Sequence, residues 1–379
     1  MKRLLLIFCA FALATAPGVA RTEIPNAAQP QLAVASDGRV WLVYGQIEAI
    51  PTQAADHAQH GKGGHGGDSA KARPAGAIFA AYSDDGGTTF GPAIKVGTVP
   101  GLMLGMRRGP RIAVHGNRLT VTAIGTELVA LTSSDAGRTW SEPTTINDAP
   151  KSAVEGLHDL ACAPDGRLFV TWLDIRNGKM ELWGAESPDG GKSWAKNEQV
   201  YKSPDKSICE CCHPSALFDT DGNLAVMWRN SIEGSRDLWM ATRLKGATKF
   251  TAAHKLGEGT WKLNACPMDG GRILALGGGK FGAVWQRAGE VFFTPASGAE
   301  ILFGKGKQPV AVANGANPVV LWQAGSDLML SRAPGAPPSK FASDARFPVL
   351  VTVGQQATLV AYEQGPAKEK QPGLVVERL

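Results

Sequence analysis

A chain of 379 residues that is 44% hydrophobic has enough apolar material for a sizeable core, in one large domain or two ordinary ones. Its formal net charge of +5 is small and scattered, with no Lys/Arg run longer than two, which excludes a nucleic-acid binder. Gly (46) and Pro (24) are abundant, as many short strands and tight turns require.

Met1 to Ala20 reads as a signal peptide. Lys2 and Arg3 precede an apolar run from Leu4 to Leu13, and Gly18, Val19 and Ala20 offer small residues for cleavage. The run is shorter than a bilayer span, and no later segment could cross a membrane. Residues 21–379 are therefore expected to form one mature domain, periplasmic or secreted.

One line then recurs seven times: an often proline-led inlet, an apolar strand, a turn, a second strand ending in an aromatic, and a third strand. The first inlet is Gln29-Pro30 and the last is Phe347-Pro348. Aligned by their turns, the second strands place Tyr44, Thr122, Trp172, Trp228, Trp285, Trp322 and Tyr362 at one position. Such a stripe reads as wedges between packed blades. The seventh repeat reaches the C-terminus without a fourth strand, and Thr22–Ala28 can supply it. The expected fold is an all-β propeller of seven four-stranded blades.

Three hairpins between third and fourth strands share the template Ser-x-Asp-x-Gly-x-Ser/Thr-aromatic. They are built on Ser83, Asp85, Gly87 and Phe90; on Ser133, Asp135, Gly137 and Trp140; and on Ser187, Asp189, Gly191 and Trp194. The Asp can accept hydrogen bonds from N–H groups of its own turn, the Gly tolerates φ > 0, and the aromatic folds back as an apolar plug. The motif resembles the Asp-box, or BNR, repeat of sialidase-like β-propellers. The resemblance implies that fold over nearly the whole mature chain. Sialidases have six blades, so six, with one degenerate repeat, stands as the alternative. It also implies a site opposite the boxes, on the face formed by inlet loops and second-to-third loops.

That face gathers the unusual residues. The insertion at 46–74 carries His57, His60 and His65 among glycines, has no apolar pattern and reads as a flexible loop. One inlet carries Cys209, Cys211, Cys212 and His213; the next carries Cys266 and Met268. In an oxidising compartment the first reading is a disulfide from Cys266 to Cys211 or Cys212. The second is a soft-metal site for copper or zinc, formed by Cys209, Cys211, Cys212, His213, Cys266 and Met268 with the loop histidines over it.

Resemblance to sialidases also implies a test for hydrolysis, because those enzymes use a Tyr nucleophile, three arginines on the substrate carboxylate and an Asp acid/base. Arg111 opens an Arg-Ile-Ala that is similar to the Arg-Ile-Pro of sialidase domains but lacks its proline. Arg229, Arg236 and Arg287 could complete a clamp, with Asp159 as acid, Glu155 as its partner and His158 beside it. The tyrosines argue against this. Tyr44, Tyr82, Tyr201 and Tyr362 all fall on strands, none on an inlet. The favoured reading is a monomeric binding module for a small-molecule, glycan or metal ligand. The alternative is an exo-α-sialidase-type hydrolase.

Overall fold

The computed structural model describes residues 21–47, 75–296, 299–314, 317–354, 357–366 and 372–379. The expected signal peptide and His57, His60 and His65 lie outside the described residues. Seven antiparallel four-stranded sheets follow one another around an axis. The six-bladed alternative is thereby corrected. The innermost strands are Ala28–Val34, Arg111–His115, His158–Cys162, Ser215–Phe218, Gly271–Gly277, Lys307–Asn314 and Ala345–Val353. Each blade runs outward from its inner strand in chain order, so strand direction alternates. Inlet loops and second-to-third loops therefore share one face, and the Asp boxes lie on the other.

Blade seven is completed by the N-terminus. Arg21–Ile24 pairs antiparallel with Gly373–Arg378, from Arg21 opposite Glu377 to Ile24 opposite Leu374. The closing strand is shorter than the expected Thr22–Ala28. Asn26 turns the chain with φ 54°, and Ala28 already begins the inner strand of blade one.

The seven positions of the stripe are all buried, none more than 2% exposed. Each lies on a second strand, which is flanked within its blade and covered by neighbouring blades on both faces. Blades diverge toward the rim, and large rings fill that gap: Tyr201 of blade three packs on Trp228 of blade four at 4.6 Å between centroids, and within blade five Phe292 stacks beside Trp285 at 5.3 Å. Full burial of one such side chain contributes about 1.5–3 kcal/mol. Thr122 is the exception in size, and its hydroxyl meets His158 Nε2 of blade three at 3.0 Å.

The three boxes are built alike. In the third, Ser187 Oγ accepts the Gly191 N–H at 2.7 Å, and Asp189 accepts Ser193 N–H at 2.9 Å and Ser193 O–H at 2.6 Å. The same bonds hold Asp85 to Thr89 and Asp135 to Thr139. Hydrogen bonds from Thr139 draw the Asp135 carboxyl down to about 2. Phe90, Trp140 and Trp194 each pack on the core. Gly87, Gly137 and Gly191 have φ of 89°, 78° and 87°. They also touch the preceding blade: an added Cβ would come 2.6 Å from Leu359, Trp41 or Thr120 respectively. The box glycine is thus required by conformation and by blade-to-blade contact together.

Candidate ligand site on the channel axis

Three inlets have an unusual backbone. Gln29, Gln308 and Phe347 each precede a proline, a position that ordinarily favours extended conformations. Here their φ values are 57°, 55° and 51°, and the pairing register slips at each inlet. The bulge removes an N–H from the ladder, which a buried carboxylate then accepts. Gln29 N–H goes to Glu363 Oε1 at 2.9 Å, and Gln308 N–H to Asp269 Oδ2 at 2.6 Å. Asp159 Oδ2 accepts Ala216 N–H of the next inner strand at 2.9 Å in the same manner. Each carboxylate fastens its blade to the following one.

Arginines fill the space these inlets surround. The channel is lined by Gln31, Arg107, Arg111, Asp159, His213 and Arg272, with aliphatic residues of blades six and seven closing its far side. Its volume of about 60 Å³ has room for on the order of four waters. Arg107 reaches across the axis, donating to Gln308 Oε1 at 2.8 Å, Gln308 O at 2.9 Å and Pro348 O at 2.7 Å. Arg111 donates to carbonyls of its own loop, Arg107 O at 2.6 Å among them, and its Nε stands 3.6 Å from Asp159. Burial pushes Arg107 down to about 9 and Arg111 to about 10. Arg272 bonds Asp159 at 3.0 Å, and its side chain is 39% exposed. His213 is held well below its usual range by burial and then by Arg107, Arg111, Arg272 and Arg229, so its ring is neutral.

The sequence candidates divide accordingly. Arg111 and Asp159 meet at the axis. Arg229 is buried in blade four, with all three of its bonds to carbonyls of Asp269, Arg236 and Gln286. Arg236 Nε reaches Leu263 O at 3.4 Å, and Arg287 pairs with Glu300 through both terminal nitrogens. None of these three lines the channel. His158 lies beneath it, fully buried and pushed well below its usual range, first by burial and then by Arg111.

Cys211 and Cys266 are disulfide-bonded, with Cα atoms 6.1 Å apart. Cys212, the other candidate for that bridge, is a free thiol. Adjacent side chains leave the backbone in different directions, and Cys211 is the one that faces Cys266. Cys212 and Cys209 meet at 3.1 Å between sulfurs. This hydrogen bond lowers the Cys209 thiol, with help from Arg229 and Arg236, while burial raises Cys212. Among the described residues, the group whose ligating atoms all lie within 4.8 Å is Cys209, Cys211 and Cys212. His213 is outside it and lines the channel instead. Met268 packs against the sulfurs. The expected six-residue metal set is thus reduced to three sulfurs, one of them already bonded to Cys266.

Residues 111–277 match the profile of the BNR repeat-like domain. The matched stretch runs from the inner strand of blade two to that of blade five. No curated protein matches by sequence. Among solved structures, this propeller is similar to a protein of unknown function from Dyadobacter fermentans, at 14% identity over 95% of this chain and 99% of that one, with a TM-score of 0.52. It is similar to the α-L-arabinofuranosidase Arb93A of Fusarium graminearum, at 13% identity over 95% and 97%, TM-score 0.50. A further match is the NanB sialidase of Streptococcus pneumoniae, at 12% identity over 94% and 68%, TM-score 0.47. At these identities the likeness is one of fold.

Sequence reasoning put Arg107 and Asp269 on this face without a role and did not single out Arg272 or Glu363; the structure makes Arg107 and Arg272 channel cations, and Asp269 and Glu363 blade clamps. The Gln-Pro pairs at 29–30 and 308–309 carried a signal for the clamps, since both glutamine N–H groups end on such carboxylates.

Proposed function

We propose that this chain is an exported propeller that binds a small anionic ligand, a carboxylate-bearing metabolite or glycan terminus, at the axial channel on the face opposite the Asp boxes. The observation that carries the reading is charge. Three arginines, Arg107, Arg111 and Arg272, line the channel against one carboxylate, Asp159. A buried excess of cations in a low-dielectric channel favours an anion. Arg107 and Arg111 are fixed by backbone carbonyls, so Arg272 is the side chain placed to swing from Asp159 to a ligand. The channel suits a carboxylate head with the remainder of the molecule outside.

The reading is of binding without turnover, because Arg229 and Arg287 have protein partners elsewhere and Tyr201 lies on an outer strand, its hydroxyl bonded by Asn230 at 2.9 Å. Calorimetric titration with N-acetylneuraminate and with glucuronate, each against a neutral sugar, tests it. Binding of an acid is expected, weakened at least tenfold by Arg272→Ala. Hydrolysis of a fluorogenic sialoside or arabinofuranoside would replace this reading with the hydrolase one.

A further inference from the structure

Four sulfurs form a graded line from the surface inward on the inlets of blades four and five. Cys266 is exposed, Cys211 is buried at 8% exposure, and Cys209 and Cys212 lie deepest at 1% each. Cys266 and Cys211 are bonded, Cys209 Sγ lies 3.8 Å from Cys211 Sγ, and Cys212 Sγ lies 3.1 Å from Cys209 Sγ. Every consecutive pair is in bond or in van der Waals contact. A structural disulfide needs no thiol beside it. The arrangement is the one thiol–disulfide exchange requires, with a thiol against a disulfide sulfur and a second thiol behind to resolve the product.

We propose that Cys266, Cys211, Cys209 and Cys212 form a thiol–disulfide relay that passes two electrons between a thiol or disulfide compound meeting the protein at Cys266 and the buried Cys209–Cys212 pair. In the first step Cys209 Sγ, as thiolate, attacks Cys211 Sγ. A Cys209–Cys211 bond forms, the Cys211–Cys266 bond breaks, and Cys266 leaves as thiolate and takes a proton from water. In the second step Cys212 attacks Cys209. The Cys209–Cys212 bond forms, Cys211 leaves as thiolate, and the proton released by Cys212 passes to it. The inner pair is oxidised by two electrons and the outer pair reduced by two, so no outside reagent enters the internal exchange. A disulfide compound at the surface then re-forms Cys211–Cys266 and is itself reduced to two thiols. Met268, packed against the cluster, helps to keep the sulfurs dry.

The test is a pairing map. The full chain is reduced, titrated with oxidised glutathione to one disulfide per molecule, quenched in acid, denatured, alkylated and mapped by mass spectrometry. The expected result is a mixture in which Cys211–Cys266 coexists with Cys209–Cys212, while Cys162, half-buried on blade three, is alkylated throughout and serves as the internal standard. Cys209→Ser should abolish the mixture and leave Cys211–Cys266 alone, with Cys212 alkylated. Cys266→Ser should collect the oxidised pair at Cys209–Cys212. If that variant fails to fold, the wild-type and Cys209→Ser maps still decide. Finding Cys211–Cys266 as the sole pairing in the wild type, with Cys209 and Cys212 fully alkylated, would overturn the relay. So would a stoichiometric zinc or copper ion on the reduced sulfurs of a protein that shows no exchange.

Discussion

Replacing Asp159 by Ala is the sharpest test of how the channel is held together. The carboxylate is buried, accepts the Ala216 N–H at 2.9 Å and Arg272 at 3.0 Å, and faces Arg111 at 3.6 Å. Its loss leaves a buried N–H unsatisfied, at about 1–3 kcal/mol. It also removes the counter-charge of a buried guanidinium, where breaking a pair costs about 3–5 kcal/mol. Arg111 keeps its carbonyl bonds and Arg272 can turn to solvent, so both costs fall at their low ends and the total is about 4 kcal/mol. Unfolding entropy of about 2.1 cal/mol/K per residue gives roughly 0.8 kcal/mol/K for a chain of 379 residues. The melting temperature by scanning calorimetry should therefore fall by roughly 5 °C. Asp159→Asn, which keeps the acceptor for Ala216, should lose about half of that. Arg272→Met, at a part-exposed pair, should cost less than about 1 kcal/mol. If Asp159→Ala melts with the wild type while Arg272→Met does not, the carboxylate is not the clamp described above.

In the third Asp box, Asp189→Ala should destabilise by about 1–2 kcal/mol in guanidinium titrations. Titration with an acidic sugar should be unchanged, and lost binding with full stability would reverse the assignment of faces. Removing residues through Ala27 opens the ring and should lower the melting temperature by several degrees, a few kcal/mol of lost closure; an unchanged melting curve would show that blade seven stands without Arg21–Ile24. Near pH 5 stability should rise with pH. His158 and His213 are held neutral in the fold, so the unfolded chain binds two protons there that the folded one does not. Asp269, pushed up to about 6 by burial, works the other way, its folded form keeping one proton that the unfolded form has lost. The difference, 2 − 1, is one proton, or about 1.4 kcal/mol per pH unit. His158→Asn should flatten that slope, and a slope that persists in the variant would show that His158 is charged in the fold. Arg287→Ala should leave binding of an acid untouched, since Glu300 rather than the channel holds this residue.

What the sequence disclosed was whatever is local or repeated. The boxes at Asp85, Asp135 and Asp189 fold as their own residues dictate, and the stripe from Tyr44 to Tyr362 marks a register that every blade must keep. Seven repeats and a missing last strand were enough to place ring closure at the N-terminus. The centre was less legible because it depends on distances across the axis. Arg107 bonds Gln308, 201 residues away, and no spacing along the chain announces that contact. Arg229 and Arg287 fitted the expected clamp by loop position, yet the carbonyls and carboxylate around them decide where they point. Cys211 and Cys212 are neighbours in sequence, and backbone direction alone separates the bridge from the free thiol.

The closure of blade seven sets an order of assembly. Arg21–Ile24 is the first of the described strands to be made, and its partner Gly373–Arg378 is the last of them. Every other strand can pair with one nearby in sequence, whereas this pairing must wait for the whole chain, at the entropic cost of a very long loop. Until then, the outer edge of blade seven and a detached strand that matches it are both open. Two copies at that stage can exchange these strands, each N-terminus completing the other's ring, and the product is a domain-swapped dimer whose rings carry the same contacts as the monomer. Refolding at rising protein concentration should therefore divide the product between monomer and exchanged dimer, through the same four residues that close the ring.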